Sequence, residues 1–143
     1  MTFFVDTNVI VYGAGDPKYG APCGMLLEAI ARGDADGQTS IAVLEEVWHL
    51  ELSGRNPNFT GLTQRALETF SPLLIATEDT FRMALALDVP GALGANDRLH
   101  VATCQAHGVD TIVSADSSFD GIPGIHRIDP VDRQEMLRLM DQS

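Results

Sequence analysis

Two aspartates stand where buried strands would end. Asp6 follows the unbroken apolar run Thr2–Val5, and Asp116 comes within three residues of the run Thr111–Val113. A carboxylate at the edge of a low-dielectric interior is costly unless it is paired, hydrogen-bonded or bound to a metal. Lysine offers little here, since the chain has one, Lys18. Taken singly, each aspartate reads equally as an Asx-turn or a helix N-cap; together they call for a common reason. Asp97 begins a helical pattern and projects in line with Val101 and Cys104, on a packed face. Its simpler reading is a first-turn acid favoured by the helix dipole. Glu46 projects beside Val43 and Leu50 at the edge of an apolar stripe, and Glu45 borders Leu52 on the far side, so periodicity does not choose between them. Three aspartates and a glutamate brought to one sheet edge would form an oxygen-rich cage suited to Mg²⁺ or Mn²⁺. Such a cage activates water against a phosphodiester and stabilises the departing oxygen.

For these acids to meet, the chain must supply a sheet whose strand ends share one edge. Thr2–Val5 has the continuous apolar character of a strand buried on both faces of a parallel sheet. A helix follows over about Ala21–Arg32, with Gly33 at its C′ position. Thr39–Ala42 is read as a second strand leading into a helix over Val43–Leu52, with Val43, Val47 and Leu50 as one apolar stripe and Leu44, Trp48 and Leu52 as another. Thr60 is the expected N-cap of a helix through Leu62, Ala66, Leu67 and Phe70. Leu73–Ala76 is read as a third buried strand, and a helix from about Asp79 carries Phe81, Ala84, Leu85 and Leu87 up to Val89. The helix that Asp97 begins closes at Gly108, Thr111–Val113 is the fourth strand, and Ile125–Ile128 is a short last one. Asp129-Pro130 is an N-cap and N1 pair for a terminal helix with Met136, Leu137 and Met140 inward. Strands alternating with helices on short connections predict one α/β domain over residues 1–143, three layers deep, with a mostly parallel central sheet of four to five strands. In such folds the site lies at the carboxyl ends of the strands.

Composition narrows the function. With 9 Lys+Arg against 20 Asp+Glu among 143 residues, the net charge is −11, which argues against a surface that grips nucleic acid everywhere. It does not exclude an enzyme that cuts nucleic acid, because bound cations invert the field in their own pocket. At 45% hydrophobic the chain builds a real core, and its longest apolar runs fall far short of a membrane span. The start Met1-Thr2-Phe3 lacks a basic region and Asp6 interrupts any signal-like core, so a cytoplasmic protein is expected. Cys23 and Cys104 lie in apolar helical segments and read as reduced core residues. His49, His100, His107 and His126 have no metal-ligand spacing and read as surface or packing residues.

Four segments resemble the motifs of PIN-domain nucleases, in the family's order and across essentially the full chain. They are Phe4-Val5-Asp6-Thr7-Asn8-Val9-Ile10, Thr39-Ser40-Ile41-Ala42-Val43-Leu44-Glu45-Glu46-Val47, Asn96-Asp97-Arg98-Leu99-His100-Val101-Ala102 and Thr111-Ile112-Val113-Ser114-Ala115-Asp116-Ser117-Ser118-Phe119-Asp120. The compact form is most similar to the VapC toxins of VapBC toxin–antitoxin pairs. The resemblance implies a Mg²⁺-dependent endoribonuclease, with Mn²⁺ as a substitute, that cleaves tRNA or ribosomal RNA through metal-activated water and so stops translation. It also implies a homodimer held inactive by a small VapB-type antitoxin. By the same resemblance, Asp6, Glu46, Asp97 and Asp116 hold the metal, Asn8 and Ser114 orient them, and Asp120 matches a position that is often acidic. Arg55, Arg65 and Arg98 are the expected phosphate contacts.

Three rivals are weighed against this. A phosphoryl-accepting domain would also begin with an acid after strand one, but Asn8 stands where a D-x-D motif needs its second aspartate, and no lysine follows Lys18. A PIN fold kept as a non-catalytic binding scaffold would not need all four acids. A PIN nuclease of RNA maturation would carry an added RNA-binding module.

Overall fold

The computed structural model describes residues 1–140; residues 141–143, included in the expected domain, lie outside the described residues. Four strands make the sheet: β1 (Thr2–Val5), β2 (Asp36–Gln38), β3 (Thr111–Val113) and β4 (His126–Ile128). Their spatial order is β2-β1-β3-β4, and every pair is parallel. Parallel neighbours need crossover connections. Among the described residues seven α-helices accompany the sheet, the first six in the connections from β1 to β2 and from β2 to β3 and the last after β4: α1 (Thr7–Tyr12), α2 (Gly20–Ala31), α3 (Ile41–Leu52), α4 (Leu62–Phe70), α5 (Glu78–Leu85), α6 (Ala95–Ala106) and α7 (Arg133–Met140). This is the three-layer α/β/α arrangement expected, with four strands.

The two central strands explain the position of the site. Phe3, Phe4 and Val5 of β1 and Ile112 and Val113 of β3 are fully buried, so both faces of the sheet are covered. Val5 is in register with Val113. The residues that follow them, Asp6 and Ser114, therefore emerge side by side at the carboxyl edge. Edge strand β2 approaches α2 closely; a Cβ on Gly37 would overlap Ile30 and reach 3.0 Å from the Phe3 ring. Gly33, at φ +81°, takes the left-handed conformation expected after α2. Both cysteines are free and buried, and burial pushes their thiols up to about 12.

Several expected elements are corrected. Residues 39–42 are not a strand: the Thr39 hydroxyl donates to Val5 O at 2.7 Å, and Ser40 Oγ accepts from Val43 N at 3.1 Å, which makes Ser40 the N-cap of α3. The true second strand lies just before, in a polar segment without apolar alternation. Leu73–Ala76 forms only one parallel bridge, Ser40 to Leu74, with Ile75 exposed. Helix α1, at the apolar run Val9–Tyr12, begins immediately after Asp6. Thr60 does not cap α4; Glu51 reaches over from α3 and accepts from Gly61 N and Thr63 N at 2.8 and 3.0 Å. Asp129-Pro130 forms a turn before α7, whose first turn is instead capped by Asp132, accepting from Glu135 N at 3.2 Å. Helix α5 stops at Leu85, short of Val89. Trp48, Leu52, Phe81 and Leu85, read as inward, are 55%, 70%, 55% and 76% exposed.

Candidate functional site

Asp6 reconciles its two readings. As the N-cap of α1, its Oδ1 accepts from Thr7 N at 2.8 Å. Its Oδ2 accepts from Ser114 Oγ at 2.7 Å and from Asn8 Nδ2 at 3.1 Å. Asn8 Nδ2 also reaches Ser114 Oγ at 3.0 Å, and its Oδ1 accepts from Ala115 N at 3.0 Å. The Ser114 hydroxyl in turn accepts from Asp116 N at 3.0 Å. One network thus ties the ends of β1 and β3 together and fixes the backbone at Asp116. Burial is the largest influence on Asp6 and raises its pKa; the field of His100 and the Ser114 and Thr7 hydrogen bonds oppose it, and Glu46 adds to the rise.

Glu46 enters from α3. Its Oε2 accepts from Thr7 Oγ1 at 3.1 Å, and its Oε1 accepts from His100 Nε2 at 2.8 Å. Of the two glutamates that periodicity leaves open, Glu46 is half-buried and faces the other acids, while Glu45 is exposed. Burial works to raise the Glu46 pKa, but the His100 hydrogen bond and charge, with the Thr7 bond, hold it below the usual carboxylate range. Burial likewise works to lower the His100 pKa, and the Glu46 bond with the charges of Asp6, Glu46 and Asp97 raises it on balance.

Asp97 lies in the first turn of α6, half-buried, and among the described residues its carboxylate accepts no hydrogen bond. Its pKa is pushed up to about 6, first by burial and then by the charge of Asp6, with Asp116 and Glu46 adding and His100 opposing. Atoms of Asp6, Asp97 and His100 that could ligate an ion lie within 4.8 Å of one another. Asp116 is exposed, and its Oδ1 accepts from Ser118 N and Oγ at 2.9 and 2.7 Å, capping the 3-10 turn Ser117–Phe119. The structure therefore brings Asp6, Glu46, Asp97 and Asp116 into one electrostatic neighbourhood from four elements. Among the described residues His100 is the cationic group acting on Asp6, Glu46 and Asp97, and a set of carboxylate oxygens of this kind fits a hard divalent cation.

The other expected residues lie around this centre. Asp120 is exposed and forms a two-point ion pair with Arg127 at 2.7 and 3.3 Å. Arg98 donates to Leu93 O at 2.7 Å and Pro90 O at 3.3 Å, strapping the loop before α6. Arg65 donates to Thr60 O at 3.1 Å, and Arg55 is exposed.

Three residues escaped the sequence reading. His100, expected as a surface or packing residue, is 1% exposed and joins the acids, its ring tilted against Phe4 at 5.7 Å. Its spacing of three from Asp97 on one helix was the available signal. Thr7 holds Glu46 through its hydroxyl. Arg127 donates to Ser114 O at 2.9 Å as well as to Asp120 and Asp129, clamping the loop that carries Asp116; nothing in its local spacing announces this.

Residues 3–125 match the family model of the PIN domain. No curated protein gives a significant match. Among solved structures the chain resembles a VapBC2 complex from Rickettsia felis bound to a promoter DNA fragment, at a TM-score of 0.67 and 18% identity, covering 90% of this chain and 98% of that one. A toxin–antitoxin complex from Klebsiella pneumoniae aligns at a TM-score of 0.65 and 22% identity, over 89% and 96% of the two chains. VapC20 of Mycobacterium tuberculosis, described as a toxin that cleaves the sarcin–ricin loop, aligns at 0.60 and 20% identity, over 86% and 98%.

Proposed function

The chain belongs to the PIN-domain family, and from that premise we propose that it is a metal-dependent endoribonuclease serving as the toxin of a toxin–antitoxin pair. The observation that carries this reading is the Asp97 carboxylate, left without a hydrogen-bond partner among the described residues and pushed up to about 6 beside Asp6, Glu46 and Asp116. An arrangement that holds like charges together at a cost to stability is expected where a cation or a reaction uses them. Structural likeness to VapC20, described as a toxin that cleaves the sarcin–ricin loop, supports ribosomal RNA as substrate, tRNA being the other class that the sequence resemblance implies. Likeness to a VapBC2 complex supports a VapB-type antitoxin as partner.

In this reading Asp6, Glu46, Asp97 and Asp116 hold Mg²⁺ or Mn²⁺, which when bound supplies water activation and charge stabilisation at the phosphodiester. The chain's own groups do the positioning. Ser114 and Asn8 orient Asp6, and the Ser114 bond opposes the rise that burial imposes on its pKa. Thr7 and His100 take one oxygen each of Glu46 and hold its carboxylate toward the cluster. With eight arginines and one lysine, Arg55, Arg65 and Arg98 are the proposed phosphate contacts, Arg98 through the face its loop carbonyls leave free. The exposed Trp48, Leu52, Phe81 and Leu85 support a protein partner, whether antitoxin or second copy of a homodimer, because exposed apolar surface of this kind marks an interface. Among the described residues no helix is long and apolar enough to cross a membrane, which accords with a cytoplasmic site of action.

Purified protein freed of antitoxin, incubated with total tRNA and ribosomal RNA, tests the proposal. Discrete fragments that form with Mg²⁺ or Mn²⁺, disappear with EDTA and are absent for Asp6→Asn support it. Their absence from a folded protein turns the reading to a PIN scaffold without catalysis. A small antitoxin gene directly upstream would separate the toxin from a nuclease of RNA maturation.

A further inference from the structure

Beside the acids, between the exposed side of α3 and the start of α6, lies an open cleft of about 350 Å³ lined by Thr7, Glu45, Glu46, His49, Leu50 and Asn96. It adjoins the centre directly, because Thr7 and Glu46 belong to both. Its other polar side chains are uncommitted: among the described residues Glu45, His49 and Asn96 make no side-chain hydrogen bond. Asp97 apart, the polar side chains of the acidic centre are used, as the Ser114, Asn8 and Thr7 networks show.

The chemistry of the lining selects a ligand. Glu46 is committed to Thr7, His100 and the acidic centre, which leaves Glu45 as the cleft's free carboxylate, a group that repels a phosphate and accepts hydrogen bonds. Asn96 both donates and accepts, while the Leu50 side chain and the His49 ring offer a surface against which a flat ring can lie. A neutral, planar group with an edge rich in N–H donors meets all of these demands. We propose that the cleft receives a splayed base of the RNA next to the cut, and that Glu45 and Asn96 select bases carrying an exocyclic amino group, adenine, cytosine or guanine, over uracil. Asparagine and carboxylate side chains suit such edges: asparagine pairs with adenine, and a carboxylate accepts from the cytosine amino group. Where cytosine turns its amino group toward Glu45, uracil would turn its O4 carbonyl, lone pair against lone pair, with N3–H as the one donor left on that edge. The inference rests on the nuclease reading for its ligand, but not on the acids for its selectivity.

The test is binding, not cleavage. Isotope-labelled protein in millimolar Mg²⁺ is titrated with AMP, CMP, GMP and UMP and followed by amide and side-chain NMR shifts, with Mn²⁺ affinity measured separately by calorimetry. The expected result is shifts at Glu45, His49, Leu50 and Asn96, with at least one of the three amino-bearing nucleotides bound about fivefold or more tighter than UMP, the low end for a base edge read by paired hydrogen bonds. Asn96→Ala should abolish the preference. Glu45→Gln, which adds an N–H donor at an exposed position, should shift it toward UMP. Equal affinities for all four nucleotides, or shifts elsewhere on the protein, overturn the cleft whatever the metal does. Tight Mn²⁺ binding without base preference overturns this inference and leaves the nuclease reading standing. Base preference without Mn²⁺ binding keeps the cleft and removes the nuclease reading.

Discussion

His100 Nε2 donates to Glu46 Oε1 across 2.8 Å, joining α6 to α3 beneath the acidic cluster. The ring is buried and Glu46 only half so, so the pair is a short bridge from the core to the open edge of the site. Each partner raises or lowers the other's pKa in the direction that keeps the pair charged.

His100→Ala should therefore cost more than its volume. It removes a buried ring and leaves a carboxylate without its donor, a combination worth about 2–4 kcal/mol. His100→Gln, which can restore an N–H toward Glu46, should recover part of that loss. Urea unfolding of the two variants, with the m-value unchanged, reads the difference.

The metal-free protein should lose stability as pH rises through the range of Asp97. A carboxyl whose folded pKa stands above its ordinary value binds an extra proton when folded, so folding is favoured below that range and penalised above it. For Asp97 the window runs from the ordinary value of 3.8 to about 6, and the penalty is on the order of 1–3 kcal/mol. Mg²⁺ or Mn²⁺ should reverse it, since a ligand that binds only the folded state stabilises by mass action. Melting temperatures taken with EDTA and with Mg²⁺ should diverge above about pH 6 and converge well below it. Indifference to metal at neutral pH would defeat the assignment of these acids as ligands.

Which of these residues could be read from the chain depends on what made them visible. Asp6 and Asp116 were legible because two acids, one directly after a buried apolar run and one within three residues of another, call for a common reason that neither needs alone. Asp97 and Glu46 were legible as edge positions on helices, but the choice of Glu46 over Glu45 needed Thr7 and His100, which come from other elements. His100 was hidden because a lone histidine on an apolar helix face reads as packing. Strand β2 was hidden because Asp36-Gly37-Gln38 sits at the sheet edge and needs no apolar alternation, while Thr39–Ala42 carries a strand-like composition that Ser40 turns into a cap. The outward apolar positions of α3 and α5 misled periodicity in the opposite sense, since spacing alone does not tell an exposed apolar stripe from a buried one.

Arg127→Ala should loosen the loop bearing Asp116. The guanidinium is largely buried and binds Asp120, Asp129 and the Ser114 carbonyl at once. Losing these charge-assisted bonds should cost about 1–3 kcal/mol and weaken Mn²⁺ binding, read by calorimetry. Arg127→Lys should rescue little, because an ammonium cannot reproduce the fork that spans both oxygens of Asp120.

Ser114→Ala isolates how the hydroxyl sets Asp6. The Ser114 bond lowers the Asp6 pKa against burial, so removing it should raise that pKa further and favour the protonated acid. If an ionised Asp6 is needed to hold the cation, the acid limb of Mn²⁺ affinity against pH should move upward. Affinity at high pH, where Asp6 is ionised in either protein, should change much less. Ser114→Thr, which keeps a hydroxyl if its methyl fits the fully buried position, should return the limb toward the original. A uniform drop in affinity at every pH would instead assign Ser114 to shaping the loop rather than to the ionisation of Asp6, because a geometric defect has no reason to follow a single titration.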